Sequence, residues 1–251
     1  MNFRNSILML SVLLVMGCMP KGALPPTEVY PVQWFSGFDM AKRLVKEMPV
    51  DDQNDVRALL DKYWYAPFKL INSETQQVFS ADHCNQILPV LPQLRTWRPF
   101  ESRPYLYLTV MCLAAESIAN ARPARYSALS TFKLDVDFPR YAPKDLTLMI
   151  SRSETERVLQ DNAIVSWAQA ETVKFVAKVD KYQARYEMDG AFQTVSLIAR
   201  GDFNDDGIED LLLYAQAHVV GGTYTAYRLF WVTKIDVDSP MTLIKKYSKA
   251  Y

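Results

Sequence analysis

Tyr182-Gln-Ala-Arg-Tyr-Glu-Met-Asp189-Gly190-Ala-Phe-Gln-Thr-Val-Ser-Leu-Ile-Ala-Arg200 contains two extended runs around a two-residue break. Tyr182, Ala184, Tyr186 and Met188 fall on one side and Gln183, Arg185 and Glu187 on the other. That period of two belongs to a strand with one buried face. Asp189-Gly190 is a pair suited to the positive-φ backbone of a tight hairpin loop. The chain therefore turns back into a second strand over residues 192–200.

The same pattern continues on both sides. Toward the C-terminus, residues 208–220 read as a strand, Gly221-Gly222 as a turn, residues 224–235 as the returning strand, and residues 241–246 as a last one. Toward the N-terminus, Val173, Phe175, Ala177 and Val179 alternate with polar residues. Earlier, Phe132, Leu134, Val136 and Phe138 alternate with Lys133, Asp135 and Asp137, and Leu146, Leu148 and Ile150 alternate with Thr147 and Met149. Both runs predict strands with one buried face. Ser153-Glu-Thr-Glu156 reads as a capping box opening a short helix to Asp161.

Before Arg122 the apolar spacing becomes helical. Met40, Leu44, Val45 and Met48 form one stripe, which Pro49 stops. Asp51 or Asp52 caps a second helix through Val56, Leu59, Leu60 and Tyr63, and Ser80 caps a short one holding Cys84, Ile87 and Leu88. Residues 104–121 are apolar almost all round, the signature of a buried helix. Sequential hairpins after a helical stretch predict an α+β fold, with a helical N-terminal part packed against a C-terminal antiparallel β-meander.

Lys plus Arg equals Asp plus Glu at 28 each, which excludes the basic field that nucleic-acid binding requires. Only two histidines exist, His83 and His218, and neither lies in a catalytic frame. There is no G-x-S-x-G, H-E-x-x-H or P-loop. The aromatic residues Trp34, Trp64, Trp97, Trp167 and Trp231 read mostly as core.

The N-terminus is a short polar head with Arg4, then the apolar run 7–16, which is too short to span a bilayer, then Val15-Met16-Gly17-Cys18. This ending resembles the lipobox of bacterial lipoproteins, with an aliphatic residue at 15, a small residue at 17 and the required thiol at 18. The resemblance implies a signal peptide over 1–17 and a lipidated Cys18 as the first mature residue. An ordinary secretory signal with an incidental cysteine is the alternative. More than one acyl chain gives stable anchoring. Met19 at the next position implies the outer membrane, with the protein facing the periplasm. Residues 18–33, rich in proline, form an extended tether. The folded part divides into a helical region, 34–125, and a β-rich region, 126–251.

In that oxidising compartment Cys84 and Cys112 are expected to pair as a disulfide, two separate buried thiols being the alternative.

One segment carries chemistry: Gly201-Asp202-Phe203-Asn204-Asp205-Asp206-Gly207-Ile208-Glu209-Asp210. With Asp202 as position 1, side-chain oxygens fall at positions 1, 3 (Asn204), 5 (Asp206) and 9 (Asp210). Gly207 stands at 6 and the Ile208 carbonyl at 7, the ligand order of a calcium loop. The segment resembles the D-x-[DN]-x-D-G-x-x-D loops of FG-GAP, dockerin and thrombospondin-type calcium proteins, which implies calcium held over residues 202–210. Position 12 is Leu213 instead of a bidentate Glu, so a water or a carboxylate from elsewhere completes the shell. Five acids crowd into nine residues without one Lys or Arg, an unfavourable arrangement unless a cation sits among them. A solvated Asx-turn hairpin is the alternative.

The sequence thus predicts a membrane-anchored envelope lipoprotein with structural calcium, a non-catalytic component that binds an envelope protein or glycan. The competing class is an envelope hydrolase acting on cell-wall or glycan material.

Overall fold

The computed structural model describes residues 28–250. Cys18, the signal and most of the tether lie outside the described residues. Residues 30–34 already belong to the globule. Tyr30 pairs through backbone with Ala124, and strand β1 (Gln33–Trp34) adds antiparallel to the end of a long strand at Ala199 and Arg200.

The N-terminal region opens on a single 3-10 turn, Met40–Arg43, and not on the helix predicted to Met48. Leu44 leaves that turn extended and pairs with Trp64, while the Val45 amide donates to the Tyr63 carbonyl at 3.0 Å. Met40 and Leu44 are buried as the stripe predicts, but a neighbouring strand-like segment supplies the hydrogen bonds, so a helix is not needed to bury them. Helix α1 (Gln53–Leu59) starts where expected but stops short of Tyr63, which is exposed and whose carbonyl is taken by the Val45 amide. Asp52 accepts from the amides of Asn54 and Asp55, and Asp55 answers with a complete capping box.

Strands β2 (Phe68–Asn72), β3 (Val78–Ala81) and β4 (Leu94–Thr96) then form a separate antiparallel sheet in the order β3-β2-β4. This sheet lies inside the region read as helical. Its strands are three to five residues long, too short to display a period, and its turn depends on Asn72 capping the amides of Glu74 and Thr75. Ser80 falls within β3, and His83 is the residue before helix α2 (Cys84–Ile87). Helix α3 (Ser102–Asn120) is the predicted buried helix. Cys84 and Cys112 join α2 to α3 in a disulfide, and both are fully buried.

Residues 132–138 and 146–150 are not strands. That stretch forms α4 (Phe138–Tyr141), a 3-10 turn at Lys144–Leu146, α5 (Arg152–Gln160) and α6 (Trp167–Ala170). Of its alternating apolar residues, Leu134, Phe138, Leu146 and Leu148 are still buried, whereas Val136 and Ile150 are exposed, because an irregular chain laid across a sheet turns only some of them inward. The backbone is committed locally instead: Asp135 Oδ1 accepts from the amides of Asp137 and Phe138, and Pro139 opens α4. The cap of α5 is Ser151, which receives the Glu154 amide at 3.1 Å, and not Ser153.

Six strands follow in sequence order: β5 (Phe175–Lys178), β6 (Gln183–Met188), β7 (Ala191–Gly201), β8 (Asp210–Val219), β9 (Thr225–Thr233) and β10 (Thr242–Ala250). All pair antiparallel as a meander. Met188 faces Ala191 across the Asp189-Gly190 loop, with Gly190 at a φ of 67°. The fold is α+β, with helices in the N-terminal half and the antiparallel sheet in the C-terminal half.

The central strands are buried on both faces, not one. Leu212, Tyr214 and Leu229 join α3 and the small sheet in one core, whereas Leu211, Leu213 and Phe230 join Phe138, Leu146 and Trp167 in a second. A bulge at Ile198 in β7 shifts the register, and its carbonyl accepts the Phe35 amide at 2.9 Å.

Candidate functional site

The acidic segment is the connection from β7 to β8. It cannot close as a tight hairpin, because eight residues lie between Gly201 and the first residue of β8. Its shape is set by Asp202, whose side chain turns inward and gathers amides. Oδ1 accepts from Asn204, Asp205 and Asp206 at 3.3, 2.6 and 3.2 Å, and Oδ2 accepts from Gly207 at 2.8 Å. Wrapping the backbone this tightly forces left-handed conformations at Asp205, with a φ of 66°, and at Gly207, with a φ of 82°. Gly accepts such a φ without penalty and Asp tolerates it.

Asp206 occupies the rim. Its Oδ1 takes the Ile208 amide at 2.8 Å and its Oδ2 takes the Asn204 side-chain amide at 2.9 Å. Ile208 pairs in parallel fashion with Tyr126, through the Gly207 carbonyl and the Glu209 amide, so the pairing does not use the Ile208 carbonyl itself. Asp210 lies in the floor. It is fully buried, and its Oδ2 accepts the Phe203 amide at 3.0 Å. Its Oδ1 is buried outside full hydrogen-bond geometry, and the Thr233 hydroxyl, the donor beside it that favours the charged form, reaches no other acceptor. Burial pushes the Asp210 carboxyl up to about 7 from its ordinary 3.8. Asp206 and Asp202 add repulsion, while the Phe203 amide and Thr233 pull the other way.

The structure therefore brings Asp202, Asn204, Asp206, Ile208 and Asp210 into one loop, with alternate side chains turned to its interior or rim. The donors that fill the Asp202 and Asp206 carboxylates are amides. Among the described residues no three His, Cys, Asp or Glu side chains stand as a ready metal-ligating group.

The remaining acids meet cations from outside the segment, one distant in sequence and one just before it, so the loop is less unbalanced than its own residues suggest. Asp205 pairs with Arg122 at 2.6 Å on the surface. Glu209 is buried, accepts the Ser127 hydroxyl at 2.5 Å and stands 3.9 Å from Arg200. Backbone from the same distant segment clamps the loop: Arg122 and Asp202 exchange amide and carbonyl at 2.9 Å, and the amides of Arg125 and Tyr126 both donate to Gly207. Arg122, Ser127 and Arg200 carry no local motif. Only proximity in the fold reveals their part.

The two histidines are held in structural contacts. His83 Nδ1 meets Asp82 at 2.8 Å, and His218 Nδ1 meets the Thr225 hydroxyl at 3.1 Å. Cys84, being in the disulfide, has no thiolate to offer His83. Among the described residues no helix is long and apolar enough to cross a membrane.

No family model, curated protein or solved structure matches this chain.

Proposed function

We propose that the chain is an envelope lipoprotein, anchored through Cys18 in the outer membrane and facing the periplasm. Its globule is a non-catalytic binding or assembly component stiffened by calcium at residues 202–210. The observation that carries the calcium reading is Asp210 Oδ1, a carboxylate oxygen sealed in the floor of an acidic loop with only the Thr233 hydroxyl beside it, outside hydrogen-bond geometry. A buried oxygen of this kind is unfavourable unless a proton or a cation accompanies it.

Side chains of Asp202, Asn204, Asp206 and Asp210 with the Ile208 carbonyl would hold the ion. An all-oxygen set without His or Cys favours calcium over zinc. Bound calcium supplies positive charge among carboxylates and joins the ends of β7 and β8, a structural role. Affinity of extracellular type, about 10⁻⁴ to 10⁻³ M, makes occupancy depend on external calcium. At tenfold excess over the dissociation constant, binding would add about 1.4 kcal/mol of stability. The buried disulfide is consistent with an oxidising compartment, where a lipobox would send the chain.

Two measurements on the full chain test the proposal. Membrane fractionation should place the native protein with the membrane, and Cys18→Ser should release it soluble, folded and still binding calcium. Titration calorimetry should give a calcium heat that disappears in Asp202→Ala. Retention of Cys18→Ser in the membrane would sink the anchor, and absence of a calcium heat would sink the loop.

A further inference from the structure

Away from the acidic loop, a cleft of about 470 Å³ opens between the segment before α4 and the β5–β6 turn, with β7 as its floor. Its charge is one-sided although the whole chain is formally neutral. Lys133, Lys178, Lys181 and Arg200 line it against a single acid, Asp135. That acid is already engaged, since its Oδ1 caps the amides of Asp137 and Phe138. Among the described residues no carboxylate lies within ion-pair distance of Lys133, Lys178 or Lys181.

Arg200 is the most confined of the four. Its Nε is buried with no partner, its Nη1 reaches the Leu129 carbonyl at 3.3 Å, and its nearest carboxylate, Glu209, stands at the edge of ion-pair range, 3.9 Å away. Burial holds the guanidinium below its ordinary pKa, and the nearby Glu209 and Tyr182 offset this only in part. Rings stand among the cations: Arg200 lies over Phe132 at 5.4 Å, and Lys181 over Tyr182 at 5.1 Å. The Tyr182 ring is itself braced, stacked on Phe35 with centroids 4.2 Å apart.

We propose that this cleft is a binding site for a phosphate ester, with the phosphate held by Arg200 and the three lysines and the organic part laid against Phe132 and Tyr182. A cleft lined by one sign of charge focuses the field and raises the local concentration of the opposite ion. Three lysines without ion pairs, with Arg200 at the edge of ion-pair range of Glu209, suit a phosphate, and guanidinium with ammonium is a recurrent phosphate-binding combination; this charge favours a dianionic monoester over the monoanionic diester of a lipid headgroup. The volume lies within the range of small-ligand sites and admits a headgroup or a monosaccharide phosphate. The cleft meets residues 202–210 where Arg200 stands 3.9 Å from Glu209, whose oxygens are not among those assigned to calcium, so the two readings can fail separately.

Two sources of the same chemistry can be separated on the full chain, with EDTA present to remove divalent cations. Glucose 1-phosphate is titrated against glucose by calorimetry, and vesicles of phosphatidylglycerol are compared with vesicles of phosphatidylcholine by co-sedimentation. Tighter binding of glucose 1-phosphate than of glucose, by tenfold or more, supports the site with a soluble ester as ligand. Preference for phosphatidylglycerol alone supports it with a lipid headgroup. In either case Lys133→Ala/Lys181→Ala should weaken binding at least tenfold and leave the melting temperature unchanged. Arg200→Lys, which keeps the charge and loses the fork, should weaken it less. No preference in either pair of probes, or binding unchanged in the double lysine variant, overturns the proposal.

Discussion

Asp210 shows how one buried group can make stability depend on pH. Its carboxyl titrates near 7 when folded, against about 3.9 for an unfolded aspartate, so between those values the folded state retains a proton that the unfolded state has lost. The contribution is fully present below about pH 4 and is lost as pH rises toward 7, with a slope of at most about 1.4 kcal/mol per pH unit. In EDTA, urea unfolding of the native protein should therefore show stability falling from pH 5 to pH 7 relative to Asp210→Asn, in which the group cannot ionise. Parallel pH profiles for the two proteins would refute this assignment. The order of oxygens in the loop was legible at this scale, because Asp202, Asn204, Asp206 and Asp210 announce themselves by spacing. Their counterions were not, since Arg122 and Arg200 are separated from the acids they meet by 83 residues in one case and nine in the other, with no periodic relation.

At the scale of elements, the hairpin read from Tyr182 onward is present nearly residue for residue, because alternation and a two-residue turn are both local signals. Helix α3 was legible for a similar reason, a long apolar stretch having few other homes. The short strands β2, β3 and β4 were not, and neither was the fate of residues 132–150, where an alternating pattern is satisfied by irregular chain. The disulfide ties the weakest kind of element, a single helical turn, to the strongest. Cys84 and Cys112 are separated by 28 residues, and closing a loop of that size contributes about 3 to 4 kcal/mol in the chain-entropy model. Reduction, or Cys84→Ala with Cys112→Ala, should lower the urea midpoint by a corresponding amount. A change under about 1 kcal/mol would mean that the bond adds little to packing already in place.

The whole molecule is a sheet between two covers, and the contact between sheet and second cover hangs partly on Arg228. This buried guanidinium on β9 donates to the Thr147 carbonyl at 2.7 Å and to the Gln193 side chain, and Gln193 in turn donates to the Leu146 carbonyl at 3.0 Å. Burial lowers its pKa to about 10, still high enough to keep it charged at neutral pH. Arg228→Ala should cost about 2 to 5 kcal/mol, since it strands buried acceptors as well as removing packing. Equilibrium unfolding measures the loss, and a cost below 1 kcal/mol would show that the cover is held by its apolar contacts alone.

What the sequence determined by itself is local: which runs are extended, where the chain turns, where α1 is capped, and that one loop carries alternating oxygens. Each of these follows from neighbouring residues, whose periods and turn propensities act over a few positions. Tertiary structure decided which faces are buried. Strands β7, β8 and β9 became two-sided only because α3 covers one face and an irregular layer the other. It also decided where charge is balanced. The same neutral composition yields an acidic loop met by Arg122 from 83 residues away and a cleft where cations gather almost unopposed, because burial and ion pairing depend on distance in space and not along the chain.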